Sequence, residues 1–255
     1  MLKLVTQKVK AAFSILLLIS GSLLFIQAIP AMPVKNRLVA SMPVTVPDSP
    51  SLHVALDSLY EKLHLDSMEL SREAYSYALM GLENLYDEGV LSNDSVLTVI
   101  DFSLPSYKKR LFVIDLNTGE LLFNTYVSHG RNSGTDMAKK FSNRNNSFQS
   151  SPGFYITGNT YYGEHGYSLR LDGKEKGIND NAQMRKIVMH PADYVSNYSI
   201  RVKGYLGRSL GCPAIPPAVH KPLINTIKDG SCLFIYSPDT NYISRSNLLG
   251  QPVEG

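Results

Sequence analysis

The sequence predicts an α+β, mainly β fold, a β-rich domain preceded by a short helical pair, and three observations lead to it. Apolar residues recur at helical spacing up to about residue 90 and at a spacing of two from residue 96 onward. The later apolar runs are short and bounded by Gly, Pro, Asn and Asp. After them only one stretch, 217–230, has helical character, so strands dominate the second part of the chain.

Residues 1–31 read as an export signal or N-terminal anchor. Lys3, Lys8 and Lys10 precede the apolar run "AAFSILLLISGSLLFI" (11–26), and "QAIPA" offers small residues for cleavage near Ala28 or Ala31. A cleaved signal is favoured and an uncleaved anchor is the alternative, because the run is long for the one and short for the other. Residues 32–50 hold four prolines and no period, as a linker does. Residues 51–94 follow as a helical segment. Asp48 or Ser49 caps a first helix with Leu52, Leu56, Leu59, Tyr60 and Leu63 on one face. A second runs from about Ser71 to Asp87, with Ala74, Ala78, Leu82, Leu85 and Tyr86 as its stripe and Gly89 to end it.

Strands are predicted at 96–102, 110–116 and 121–127, the last two joined at "NTGE" as a hairpin, and at 153–158, 167–173 and 185–190. The polar loop 128–153 is long enough to suggest a binding loop or lid. A helix over 217–230, interrupted early by Pro222 and closed by Gly230, leads to a last strand at "CLFIYS". The main domain thus spans 95–240, with 241–255 as a tail.

Charge excludes one class of partner. Of 25 Lys and Arg, three lie in the leader, which leaves 22 against 22 acidic residues and no basic stripe, so nucleic acid is not expected. A membrane is expected only through an uncleaved anchor. Two cysteines in an exported chain permit one disulfide, Cys212 with Cys232. Cys232, however, alternates with apolar residues as a buried strand position does.

Cys212 lies in "GRSLGCPAIP" (207–216), where neither helix nor strand interior is tolerated. A cysteine nucleophile needs a base or a positive field to make the thiolate, and donors for the oxyanion it creates. His190, at the polar end of an apolar strand and 22 positions earlier, is the base candidate. His129, which ends a strand and opens the long loop, is either a surface histidine capping backbone groups or a rim residue that orients substrate. His165, His220, His53 and His64 read as ordinary loop or helix-face residues. A zinc site of His129, His190 and Cys212 has no H-x-x-H or C-x-x-C pair behind it, so no metal and no cofactor is expected.

"MHPADY" (189–194) followed by "GRSLGCPAIP" resembles the signature of YkuD-type L,D-transpeptidases. The stretch from "LTVIDFSLPS" through "HGRNSG", "YSLRLDG" and "SLGCPAIP" to "FIYSP" resembles the narrower murein L,D-transpeptidase catalytic domain family over about residues 95–237. The resemblance implies a β-rich catalytic domain acting on peptidoglycan stem tetrapeptides in the periplasm or cell envelope. Cys212 would attack the carbonyl of the diamino acid at the third position and expel D-alanine, with His190 as base and acid. It also implies that Ser209 and Gly211 shape the loop and that the N–H of Gly211 or Cys212 meets the oxyanion.

Two departures stand out. Pro213 and Ala214 occupy the positions where the broader family has an apolar residue and an arginine, and Pro191 follows the histidine where glycine is usual. Pro213 has no N–H to give. Arg208 is expected to replace the missing charge, ahead of Arg170 and Arg201, and Cys212 is expected to be partly exposed with a depressed pKa. Three other readings stay open: an L,D-carboxypeptidase with water as acceptor, a non-catalytic wall-binding module with Cys212 tied to Cys232, and a zinc hydrolase.

Overall fold

Strand β1 (Val96–Asp101) is buried along its whole length, so the spacing of two expected from residue 96 does not hold in it: both faces of the sheet are covered. A computed structural model describes residues 58–250. The leader, the linker, the start of the first helix and His53 lie outside the described residues. Of that first helix, residues 58–62 are helical. Helix α1 (Arg72–Asp87) begins at Ser71, whose Oγ accepts the Ala74 N–H at 3.1 Å, and ends before Gly89 at φ +66. Its stripe includes Tyr75 and Leu79, while Tyr86 is 53% exposed and lies off it. Gly81 is needed mid-helix: a Cβ there would meet the Phe154 ring at 2.0 Å.

The sheet continues with β2 (Leu111–Asp115), β3 (Glu120–Thr125), β4 (Gly153–Gly163), β5 (Gly166–Gly173), β6 (Val188–Pro191), β7 (Ala214–Ile215) and β8 (Cys232–Tyr236), in the order β3-β2-β1-β8-β4-β5-β6-β7. β1 and β8 run parallel in the centre, as do β6 and β7 at one edge. Ser128, just past β3, bridges Ala214 in β7, so the sheet curls back towards a closed barrel. One face packs Leu97, Val99, Phe112, Phe154 and Phe234 against α1. The other packs Ile100, Val113, Tyr155, Leu169, Met189 and Ile235 against α3 (His220–Ile227). At about 25 cal/mol per Å² of apolar surface removed from water, these two layers supply the main drive to fold.

Several expectations need correction. Residues 185 and 186 form a turn instead of strand, with Lys186 at φ +56, and the strand begins only at Val188. Pro222 does not interrupt α3: it falls in the first turn, where no helical partner awaits an N–H. Helix α2 (Asn197–Lys203), helix α4 (Thr240–Ile243) and β7 are too short to leave a period. The segment predicted as a tail is packed over its first part: Tyr242, Leu248 and Leu249 are buried in the α1-side core. Among the described residues no helix is long and apolar enough to cross a membrane.

Candidate active site

The parallel pairing of β6 with β7 sets His190 opposite Ala214, and Cys212 lies two residues before it. Cys212 therefore arrives at the open end of the β6 strand, where its sulfur receives the Val188 N–H and its S–H points at the Lys186 carbonyl at 3.7 Å. Ser209 staples the loop. Its Oγ donates to the Cys212 carbonyl at 2.6 Å and accepts the Gly211 N–H at 3.1 Å. Gly211 has φ +128, and a Cβ there would stand 2.8 Å from the Gln149 carbonyl, so the turn requires glycine. Of the two N–H groups named as oxyanion candidates, that of Gly211 is engaged by Ser209 and that of Cys212 faces its own sulfur, while Pro213 has none.

His190 is 4% exposed. Its Nδ1 faces the Pro191 carbonyl at 2.9 Å, which can only accept, so Nδ1 carries the proton and Nε2 has the free lone pair. Burial, which outweighs the hydrogen bond to Pro191, holds its pKa below the usual histidine value, and the nearby His165 adds to the shift. Burial likewise raises the Cys212 pKa, although the Val188 N–H and the Arg185 charge pull against it. The expected depressed thiol pKa is thus reversed: the resting pair is thiol and neutral imidazole. Both open onto one cleft of about 460 Å³, whose wall includes Phe148, Tyr161, Arg185, Tyr194 and Arg208. A second cleft of about 600 Å³ meets the first at His190, His165 and Tyr194 and runs past Asp193 and His220.

His129 is neither a surface nor a rim residue. It is wholly buried, its Nδ1 accepts from Arg110 Nη2 at 2.8 Å, and its Nε2–H points to the Gly134 carbonyl at 3.3 Å. Burial and the adjacent Arg110 cation push its pKa down to about 3. With both nitrogens engaged it lines neither cleft and has no lone pair for a metal. Arg208 reaches the cleft, but Nη1 donates to the carbonyls of Arg131 and Gly134 at 3.3 and 3.0 Å. The cation that acts on Cys212 is Arg185. His165 is a turn residue, in keeping with the loop placement, but it is not an ordinary one. It stands at the β4–β5 hairpin tip, and its ring stacks on His190 with centroids 4.4 Å apart at 25°. The two cysteines are free thiols, and among the described residues no group of three His, Cys, Asp or Glu could hold a metal.

A family model described as the L,D-transpeptidase catalytic domain matches residues 66–236. Among solved structures, an L,D-transpeptidase from Mycobacterium smegmatis is similar at 15% identity and a TM-score of 0.35, over 56% of this chain and 59% of that one. The helical cell shape determining protein Pgp2 from Campylobacter jejuni is similar at 11% identity and a TM-score of 0.36, over 62% of this chain and 54% of that one. The chain thus spans less than two thirds of either structure. Curated protein sequences give no match.

Proposed function

The chain belongs to the L,D-transpeptidase catalytic domain family, and on that premise we propose that it is a cysteine acyltransferase that cross-links peptidoglycan stem peptides. The carrying observation is the pair on one cleft: a thiol at Cys212 and a neutral imidazole at His190 whose Nδ1 is held by the Pro191 carbonyl, leaving Nε2 as the base. The Cys212 side chain turns from the Lys186 carbonyl towards His190, Nε2 takes its proton, and the sulfur bonds to the carbonyl carbon of the diamino acid at stem position three. The Cys212 N–H supports the oxyanion. As the C–N bond to D-alanine breaks, the imidazolium returns the proton to the leaving amine and a thioester remains. An amine from a neighbouring stem then attacks the thioester and regenerates the thiol.

The second cleft beside His190 favours an amine acceptor over water, since it offers a second peptide a path to the same imidazole. This reading requires export, the role we assign to residues 1–31. The test is mass spectrometry of muropeptides after incubation with the chain, beside Cys212→Ala. Dimers joined between two diamino acids, present only with the wild type, are expected. Tetrapeptides trimmed to tripeptides without dimers would make it a carboxypeptidase, and no change in either sample would overturn the enzymatic reading.

A further inference from the structure

Arg185 stands on the turn into β6, half-buried, and no carboxylate comes within ion-pair distance of it among the described residues. Its N–H groups go instead to three neutral oxygens of one segment: Nη1 donates to Ser151 Oγ, and Nη2 to the Gln149 carbonyl at 2.6 Å and to Ser147 Oγ at 3.2 Å. That segment holds the cysteine loop in turn. Ser150 Oγ donates to the Gly211 carbonyl at 3.0 Å, and Arg185 Nη2 itself lies 3.4 Å from where a Cβ on Gly211 would stand. The guanidinium is therefore one residue from Cys212 and on the wall of the same cleft.

A partly desolvated cation without a counter-ion is costly, and neutral acceptors offset that cost only in part. The anion that would complete the arrangement forms during the reaction, when the sulfur loses its proton. We infer that Arg185 is a positioning residue for Cys212, clamping segment 147–151 onto the cysteine loop and presenting a fixed positive charge to the thiolate. This rests on Cys212 being the nucleophile. The other groups around the thiol cannot take that part. Arg208 is turned to the carbonyls of Arg131 and Gly134 and its charge does not act on the sulfur, whereas Arg185 Nη2 stands beside Gly211, and Lys186 meets the sulfur through its backbone oxygen. Tyr155 and Tyr194 are kept protonated by burial, the latter with its pKa pushed up to about 12. His190 is the neutral base, and Glu164 and His165 belong to the hairpin tip.

The pH dependence of iodoacetamide alkylation at Cys212 in the full chain, followed by mass spectrometry of its peptide, reads this directly. Arg185→Met is expected to slow alkylation about tenfold below the midpoint, one pH unit of displacement, with near-UV circular dichroism unchanged. Arg185→Lys, which keeps the charge but loses the fork, is expected to recover at least half of that shift. Should Arg185→Met fail to fold, Ser147→Ala combined with Ser151→Ala removes two of the three anchors of the guanidinium, leaving the Gln149 carbonyl, and is expected to displace the midpoint in the same direction. An unmoved midpoint in a folded Arg185→Met protein overturns the inference, as does a shift that lysine does not reduce. For the serine variant, an unmoved midpoint does the same. Alkylation needs no peptidoglycan, so a negative result here leaves the acyltransfer reading standing, and a negative muropeptide result leaves this measurement valid.

Discussion

Cys232 and Cys212 share a residue type and a direction of pKa shift, and little else. Cys232 sits in β8 opposite Leu97 on one side and Ile156 on the other, in the layer that packs against α1, and burial alone raises its thiol pKa. Cys212 sits after a left-handed glycine, with a backbone N–H, a guanidinium and a cleft around its sulfur. Burial raises both, but only at Cys212 do other groups act against it. The two thiols thus differ both in access to water, Cys212 being partly exposed and Cys232 buried, and in the groups that oppose desolvation at the sulfur.

The comparison is tested most severely at the base. On the proposed mechanism, His190→Ala removes the acceptor for the Cys212 proton and is expected to lower cross-linking by about 10²–10⁴-fold, the usual worth of a positioned general base, with thermal stability little changed. If muropeptide dimers formed at the wild-type rate, the thiol would be activated by something other than the imidazole beside it.

Cys232→Ser sharpens the other side. It places a hydroxyl in an apolar layer that includes Phe154 and Phe234, at a cost of about 1–3 kcal/mol when the polar group finds no partner. Urea denaturation is expected to show that loss, while the specific activity of the folded fraction stays within about twofold. An inactive but fully stable Cys232→Ser protein would exchange the roles assigned to the two cysteines.

How much of this was legible in the sequence follows from the range of the signals. Ser71, Gly89 and the α1 stripe act within a few residues, so cap, end and face could be read directly. Gly211 beside Cys212 and His190 at the end of an apolar run marked the two candidates, and the family resemblance joined them; the structure sets both on one cleft. Arg185 was not marked: the apolar run after it made it look like strand, whereas Lys186 at positive φ breaks the chain there and turns the guanidinium to loop 147–151, 34 to 38 residues away. The tip "GEHG" (163–166) announces a hairpin turn but not that His165 will stack on His190. Arg110, heading an otherwise apolar run, was the one available hint that a buried polar partner would be needed. That partner proved to be His129, 19 positions on.

His129 and His190 repeat the lesson of the cysteines on a smaller scale, and pH separates them from the rest of the fold. The folded pKa of His129 is about 3 against an ordinary value of 6.5, so below pH 6.5 the unfolded chain takes a proton that the native state refuses. Its contribution is therefore flat above that value and is lost as pH falls towards 3, amounting to about 1 kcal/mol between pH 6.5 and 5.5. His190, whose pKa is also lowered, adds in the same direction. Glu175 acts oppositely: burial raises its carboxyl pKa, so its own contribution declines as pH rises through the range above 4.5. His129→Asn isolates the first effect. It is expected to be less stable than the wild type at pH 7, since Arg110 loses an acceptor, and to lose about 1 kcal/mol less than the wild type when urea midpoints at pH 6.5 and 5.5 are converted to free energies. An equal pH slope in both proteins would mean that His129 takes up its proton in the folded state, and that the Arg110 contact does not keep it neutral.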